Sequence, residues 1–133
     1  MSVMSPAWKA VCRVLDIPVL GARRLDRPHG MPVALFRTDE DRVFALLDRC
    51  PHKGGPLSQG IVFRDSVACP LHNWTIGLAD GLARAPDEGR TPTFTCRVVD
   101  GEVLLDAYEL ATRALDLKPP VAGPCAARIL PVG

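Results

Sequence analysis

The chain has 133 residues, with 16 Lys and Arg against 15 Asp and Glu, a net charge of +1 and 47% hydrophobic residues. A domain of this length buries roughly two-thirds of its unfolded surface, enough to hold a core without disulfide or zinc staples. The balanced charge offers no basic face to nucleic acid or to an anionic membrane, and apolar runs such as 43–47 fall far short of the roughly twenty residues that cross a bilayer. The first nine residues contain no basic segment followed by an apolar stretch, and Arg23-Arg24 lies too deep for an export signal, so a cytoplasmic location is expected.

Thirteen prolines and eleven glycines cut the chain into short apolar runs, which points to an all-β domain. The runs predict strands over residues 8–15, 19–25, 32–37, 42–47, 61–63, 66–69, 75–78, 82–85, 93–99 and 102–106. Asp80-Gly81 and Asp100-Gly101 are hairpin turns, since both residue types tolerate positive φ. Ala107, Leu110, Ala111, Ala114 and Leu115 then recur at helical spacing and predict one amphipathic helix over 106–118, stopped by Pro119. Residues 119–133 are rich in Pro and Ala and are expected to be disordered, with an apolar end, Ile129-Leu130-Pro131-Val132, able to dock on another subunit. The expected organisation is one domain over 1–110, with ligand loops at about 48–76, followed by a helix end and flexible tail over 111–133.

The chemistry lies in Cys50-Pro51-His52 and Cys69-Pro70-Leu71-His72, a C-x-H…C-x-x-H set with sixteen residues between His52 and Cys69. Two thiolates and two imidazoles suit a 2Fe-2S cluster held asymmetrically, with Cys50 and Cys69 on one iron and His52 and His72 on the other. Gly54, Gly55 and Pro56 let backbone wrap closely around such a cluster. Structural zinc takes the same ligand types, but zinc pairs are usually separated by two or more residues and Cys50 and His52 by one. These four residues are the expected metal and cofactor ligands, and no catalytic residue is assigned.

The other cysteines fit no second cluster. Cys12 on the face Trp8, Ala10, Cys12, Val14, and Cys96 on the face Phe94, Cys96, Val98, read as small core residues, and Cys125 as an incidental thiol in the tail. His29 is the one spare histidine, too few for a mononuclear iron held by two histidines and a carboxylate. No G-x-G-x-x-G follows a strand. Substrate chemistry is therefore expected on a partner. Lys53 and Arg49 flank the first loop and are expected to be solvated charges with a possible steering role toward an acidic partner.

The two ligand loops and the strands around them resemble the cluster-binding subdomain of Rieske proteins, inserted in a small antiparallel β-sandwich. Residues 85–92 are similar in position to the proline-rich loop that covers the cluster in that family. Cys50-Pro-His-Lys-Gly-Gly-Pro-Leu-Ser-Gln-Gly60, Cys69-Pro-Leu-His-Asn-Trp74 and Pro86-Asp-Glu-Gly89 look like the small subunit of NAD(P)H-dependent assimilatory nitrite reductase. That resemblance implies a one-electron relay, or structural cover, for a large subunit that carries flavin and sirohaem and reduces nitrite to ammonium. It also implies electron entry at the histidine-bound iron, with His52 and His72 facing solvent or partner. Respiratory Rieske proteins carry a loop disulfide and a serine and tyrosine that donate to sulfur; the matching places here look like Gly55, Leu71, Trp74 and Ile76. Fewer donors imply a potential at the low end of roughly −150 to +300 mV. The alternative is a free-standing Rieske ferredoxin feeding an aromatic-ring dioxygenase; a redox-sensing regulatory module is a third class without positive support.

Overall fold

The structure is a computed structural model that describes residues 8–50, 56–69, 74–84 and 89–115. His52, His72, Lys53 and the tail beyond residue 115 lie outside the described residues, as do residues 85–88 of the third loop.

The described residues form ten strands: β1 (Trp8–Arg13), β2 (Gly21–Leu25), β3 (Val33–Arg37), β4 (Val43–Leu47), β5 (Ile61–Phe63), β6 (Ser66–Ala68), β7 (Thr75–Gly77), β8 (Thr93–Phe94), β9 (Cys96–Val99) and β10 (Glu102–Asp106). A short helix, α1 (Ala107–Thr112), follows. All pairings are antiparallel and fall into three sheets, β1-β10-β9, β2-β3-β4-β8 and β5-β6-β7. The all-β fold, with a small third sheet inserted between β4 and β8, is the one the sequence predicts.

The central sheet is covered on both faces, and side-chain alternation along β3 explains how. Ala34 and Phe36 belong to a core shared with Val62, Val67, Ile76 and Leu78 of the third sheet and its flanks. Val33 and Leu35 belong to a second core with Val103 and Leu105 of β10. On β4, Leu46 enters the first core while Ala45 and Leu47 enter the second. A strand buried on both faces reads as an unbroken apolar run, which is the pattern of Val33-Ala34-Leu35-Phe36.

Several boundaries depart from expectation. The run at 93–99 breaks at Thr95, because β8 pairs with β4 in the central sheet whereas β9 pairs with β10 in the first. Residues 82–84 form only isolated bridges, Ile76 to Ala83 and Leu82 to Arg90. In β1 a bulge between Ala10 and Cys12 leaves Val11 as the extra residue, so the simple alternation fails: Ala10 is exposed while Val11 and Cys12 are half-buried. Cys96 is also half-buried and Val98 is exposed, so neither cysteine is fully sealed. Asp100-Gly101 has positive φ at both residues, 52° and 80°, as its hairpin requires. In Asp80-Gly81 only Gly81 takes positive φ, 70°, and its amide donates to the Gly77 carbonyl at 2.8 Å.

The helix is shorter than its periodicity predicts. Asp106 caps it, accepting from the amides of Tyr108 and Glu109, and Arg113 returns to extended backbone at φ −83°, ψ 132°. The Arg27 guanidinium accounts for this stop: Nη1 donates to the carbonyls of Leu110 and Arg113 at 3.2 and 2.7 Å, and Nε to Met31 at 2.8 Å. Carbonyls at a helix end need such donors once the helical ladder stops.

Candidate metal centre

Both candidate thiols sit where the third sheet meets the central one. Cys50 follows β4 by three residues and Cys69 follows β6 directly. Each is 1% exposed, and both belong to the same apolar core as Phe36, Leu57 and Ile76. The structure thus brings the two cysteines of the motif to one buried region, although nineteen positions separate them in sequence.

The first loop is fixed at its base. Asp48, 3% exposed, accepts from the Ser58 amide at 2.7 Å through one carboxylate oxygen and from the Ser58 hydroxyl at 2.7 Å through the other. These charge-assisted bonds tie the residues before Cys50 to the short 3₁₀ turn Leu57–Gln59, whose Leu57 is buried in the same core. The second loop is closed by the Cys69 amide, which donates to the Trp74 carbonyl at 2.7 Å. That bond brackets the sequence carrying His72.

Gly60 holds the two loops against each other. A Cβ at this position would run into the carbonyl oxygen of Ala68, the residue before Cys69. Only a residue without a side chain allows this backbone approach. The third loop is tied in at its end: the Leu47 amide donates to the Pro92 carbonyl at 2.9 Å, which puts Thr91 and Pro92 beside the start of the first loop.

Arg49 differs from the solvated charge expected of it. The residue is half-buried, and its Nε is a buried donor with no acceptor among the described residues. Thr91 Oγ1 is likewise buried without a partner, in a residue 2% exposed. His29 is exposed, as expected of a turn histidine. Ile76 is fully buried in the first core and, as an aliphatic residue, offers no donor to sulfur. Asp48 was not singled out by sequence reasoning, and Ser58 and Gly60 stood only inside the motif over 50–60 without a role of their own. Only the proximity of Asp48 to Cys50 hinted at the first, and nothing linear pairs it with a serine ten residues on.

The donor set fits a 2Fe-2S cluster. Two buried thiols in one core can supply thiolate ligands, the bracketed loops carry His52 and His72 in sequence, and orphaned donors at the loop base accord with a site that holds an anionic group.

A model of the Rieske [2Fe-2S] domain matches residues 7–95. The chain is 31% identical over 101 residues to ferredoxin CarAc of Metapseudomonas resinovorans, covering 75% of this chain and 94% of that protein. It is 33% identical over 101 residues to the 3-phenylpropionate/cinnamic acid dioxygenase ferredoxin subunit of Photorhabdus laumondii, covering 74% and 93%. Among solved structures, the proposed NADH-dependent nitrite reductase small subunit of Mycobacterium tuberculosis superposes with a TM-score of 0.67 at 25% identity, covering 76% of this chain and 95% of that one.

Proposed function

The chain belongs to the Rieske [2Fe-2S] domain family, and from that premise we propose that it is a one-electron carrier to a partner oxidoreductase, with Cys50, His52, Cys69 and His72 as its cluster ligands. When bound, a 2Fe-2S cluster supplies a one-electron couple. The observation that carries this reading is the burial of Cys50 and Cys69 in one hydrophobic core, the one in which the third sheet packs against the central sheet. Their burial keeps water from the thiolates. Asp48, Ser58 and Gly60 hold the two loops in fixed relation, so little reorganisation accompanies electron transfer.

Two partner chemistries are supported to different degrees. Relatives at 31% and 33% identity, each matched over more than nine-tenths of its length, are ferredoxins, one of them a dioxygenase subunit. They support a ferredoxin that delivers electrons to an oxygenase, and this is the reading we favour. Likeness to the mycobacterial protein supports the second, a small subunit of an NADH-dependent nitrite reductase, whose partner would carry the flavin and sirohaem.

Iron and acid-labile sulfide determination tests the site: the wild type should contain about two of each per chain, and Cys50→Ser should contain neither. Zinc without sulfide would overturn the cluster. The partner is decided by reconstitution. Transfer of electrons to a ring-hydroxylating oxygenase supports the first reading, and nitrite-dependent NAD(P)H oxidation with a sirohaem flavoprotein supports the second.

A further inference from the structure

We propose that Arg49 tunes the reduction potential of the cluster upward, as a half-buried cation, next to Cys50 in the chain, whose Nε is sealed from water; the inference rests on the cluster reading above. Three buried side-chain polar atoms lack a partner among the described residues: Arg27 Nη2, Arg49 Nε and Thr91 Oγ1. Arg27 is otherwise occupied by three carbonyls and works as a clamp on the chain around α1. Among the described residues Arg49 Nε has no such acceptor. Its own amide donates to the Leu47 carbonyl at 2.7 Å, curling the chain immediately before Cys50.

The nearest carboxylate in sequence, Asp48, forms no ion pair with Arg49: both its oxygens accept from Ser58, and its own charge is common to every Arg49 variant, so comparing those variants isolates the guanidinium. The ion pairs among the described residues join Arg24 to Asp26, Arg37 to Asp41, Arg84 to Asp80 and Arg113 to Glu109, none of them Arg49. A guanidinium stays charged at every accessible pH. Reduction adds negative charge to the cluster, so a positive charge on the residue next to Cys50, partly shielded from water, favours the reduced form. A fully solvated arginine would exert less of this effect, and the buried Nε sets this half-buried residue apart from one.

The test is protein-film voltammetry on the isolated holoprotein, comparing wild type, Arg49→Gln and Arg49→Lys, with iron, sulfide and the visible spectrum as controls. We expect Arg49→Gln to fall lowest, by up to about the 59 mV that equals a tenfold change in a one-electron equilibrium. Arg49→Lys should lie between, because an ammonium keeps the charge but draws water to it. Coincident potentials in cluster-replete proteins would overturn the inference while leaving the cluster reading intact. If Arg49→Gln loses its cluster, Arg49→Lys against wild type decides, and equal potentials refute. Absence of iron and sulfide in the wild type would instead be a failure of the cluster reading. A role confined to docking would leave all three potentials equal and alter only the salt dependence of transfer to a partner.

Discussion

Both carboxylate oxygens of Asp48 are bound by a single residue, Ser58, whose amide and hydroxyl each approach to 2.7 Å. The pair closes a ten-residue span around the sequence that holds Cys50 and His52, so its ends are anchored without using either proposed ligand. Ser58→Ala removes one of the two donors and leaves a buried carboxylate oxygen unsatisfied, at a cost of about 1–3 kcal/mol. Asp48→Ala removes the anchor altogether and should lower stability further. Chemical denaturation gives the stability change, and iron retention during dilution into chelator reports the loosening; wild-type behaviour in both would show that the span holds itself.

Leu57 is fully buried in the core that also contains Cys50 and Cys69. Leu57→Ala opens a cavity under the first loop, and comparable core truncations cost about 2–5 kcal/mol. The expected result is a lowered denaturation midpoint with an unchanged denaturant slope. A Leu57→Met variant, close in volume, should lose under about 1.5 kcal/mol.

The layout of the strands was legible because burial follows alternation and turns follow glycine. Val33-Ala34-Leu35-Phe36 announces a strand, and Asp100-Gly101 a tight hairpin, from local chemistry alone. The ligand motif was equally local. What stayed hidden depends on contacts distant in sequence. The bulge at Val11 is set by register against β10, the break at Thr95 by exchange between sheets, and the early end of α1 by a guanidinium more than eighty residues away. Asp48 looked like an ordinary polar residue at a strand end, and Arg49 like a solvated cation. Their roles exist only once Ser58 and the buried loop base are in place.

Gly60 is required by space rather than by φ, which at −82° suits any residue. A side chain there meets the Ala68 carbonyl, and that backbone leads straight into Cys69. Gly60→Ala should displace β6, costing about 1–3 kcal/mol as overpacking does. The cluster should be lost faster to chelator than in the wild type. Gly101→Ala is the contrasting case, because nothing lies within 4 Å of the added Cβ and only the positive φ of 80° opposes it. It should destabilise the hairpin without touching iron retention.

Cys96 offers a pH-dependent test remote from the ligand loops. Burial pushes its thiol up to about 12 from the ordinary 9.0, with the neighbouring Cys12 adding to the shift; the Cys12 thiol is itself raised, again chiefly by burial. In the folded chain Cys96 therefore stays protonated and unreactive at neutral pH, since only thiolate attacks an alkylating reagent. Peptide mapping after iodoacetamide treatment should find Cys96 modified far more slowly in native than in urea-unfolded protein. The linkage has a definite sign. Between pH 9 and about 12 the folded chain retains a proton that the unfolded chain has lost, so the stabilisation is fully present below pH 9 and declines as pH rises through that window. Cys96→Ala should flatten this part of the stability profile. An identical slope in wild type and variant would mean that Cys96 titrates in the folded chain as it does in the unfolded one.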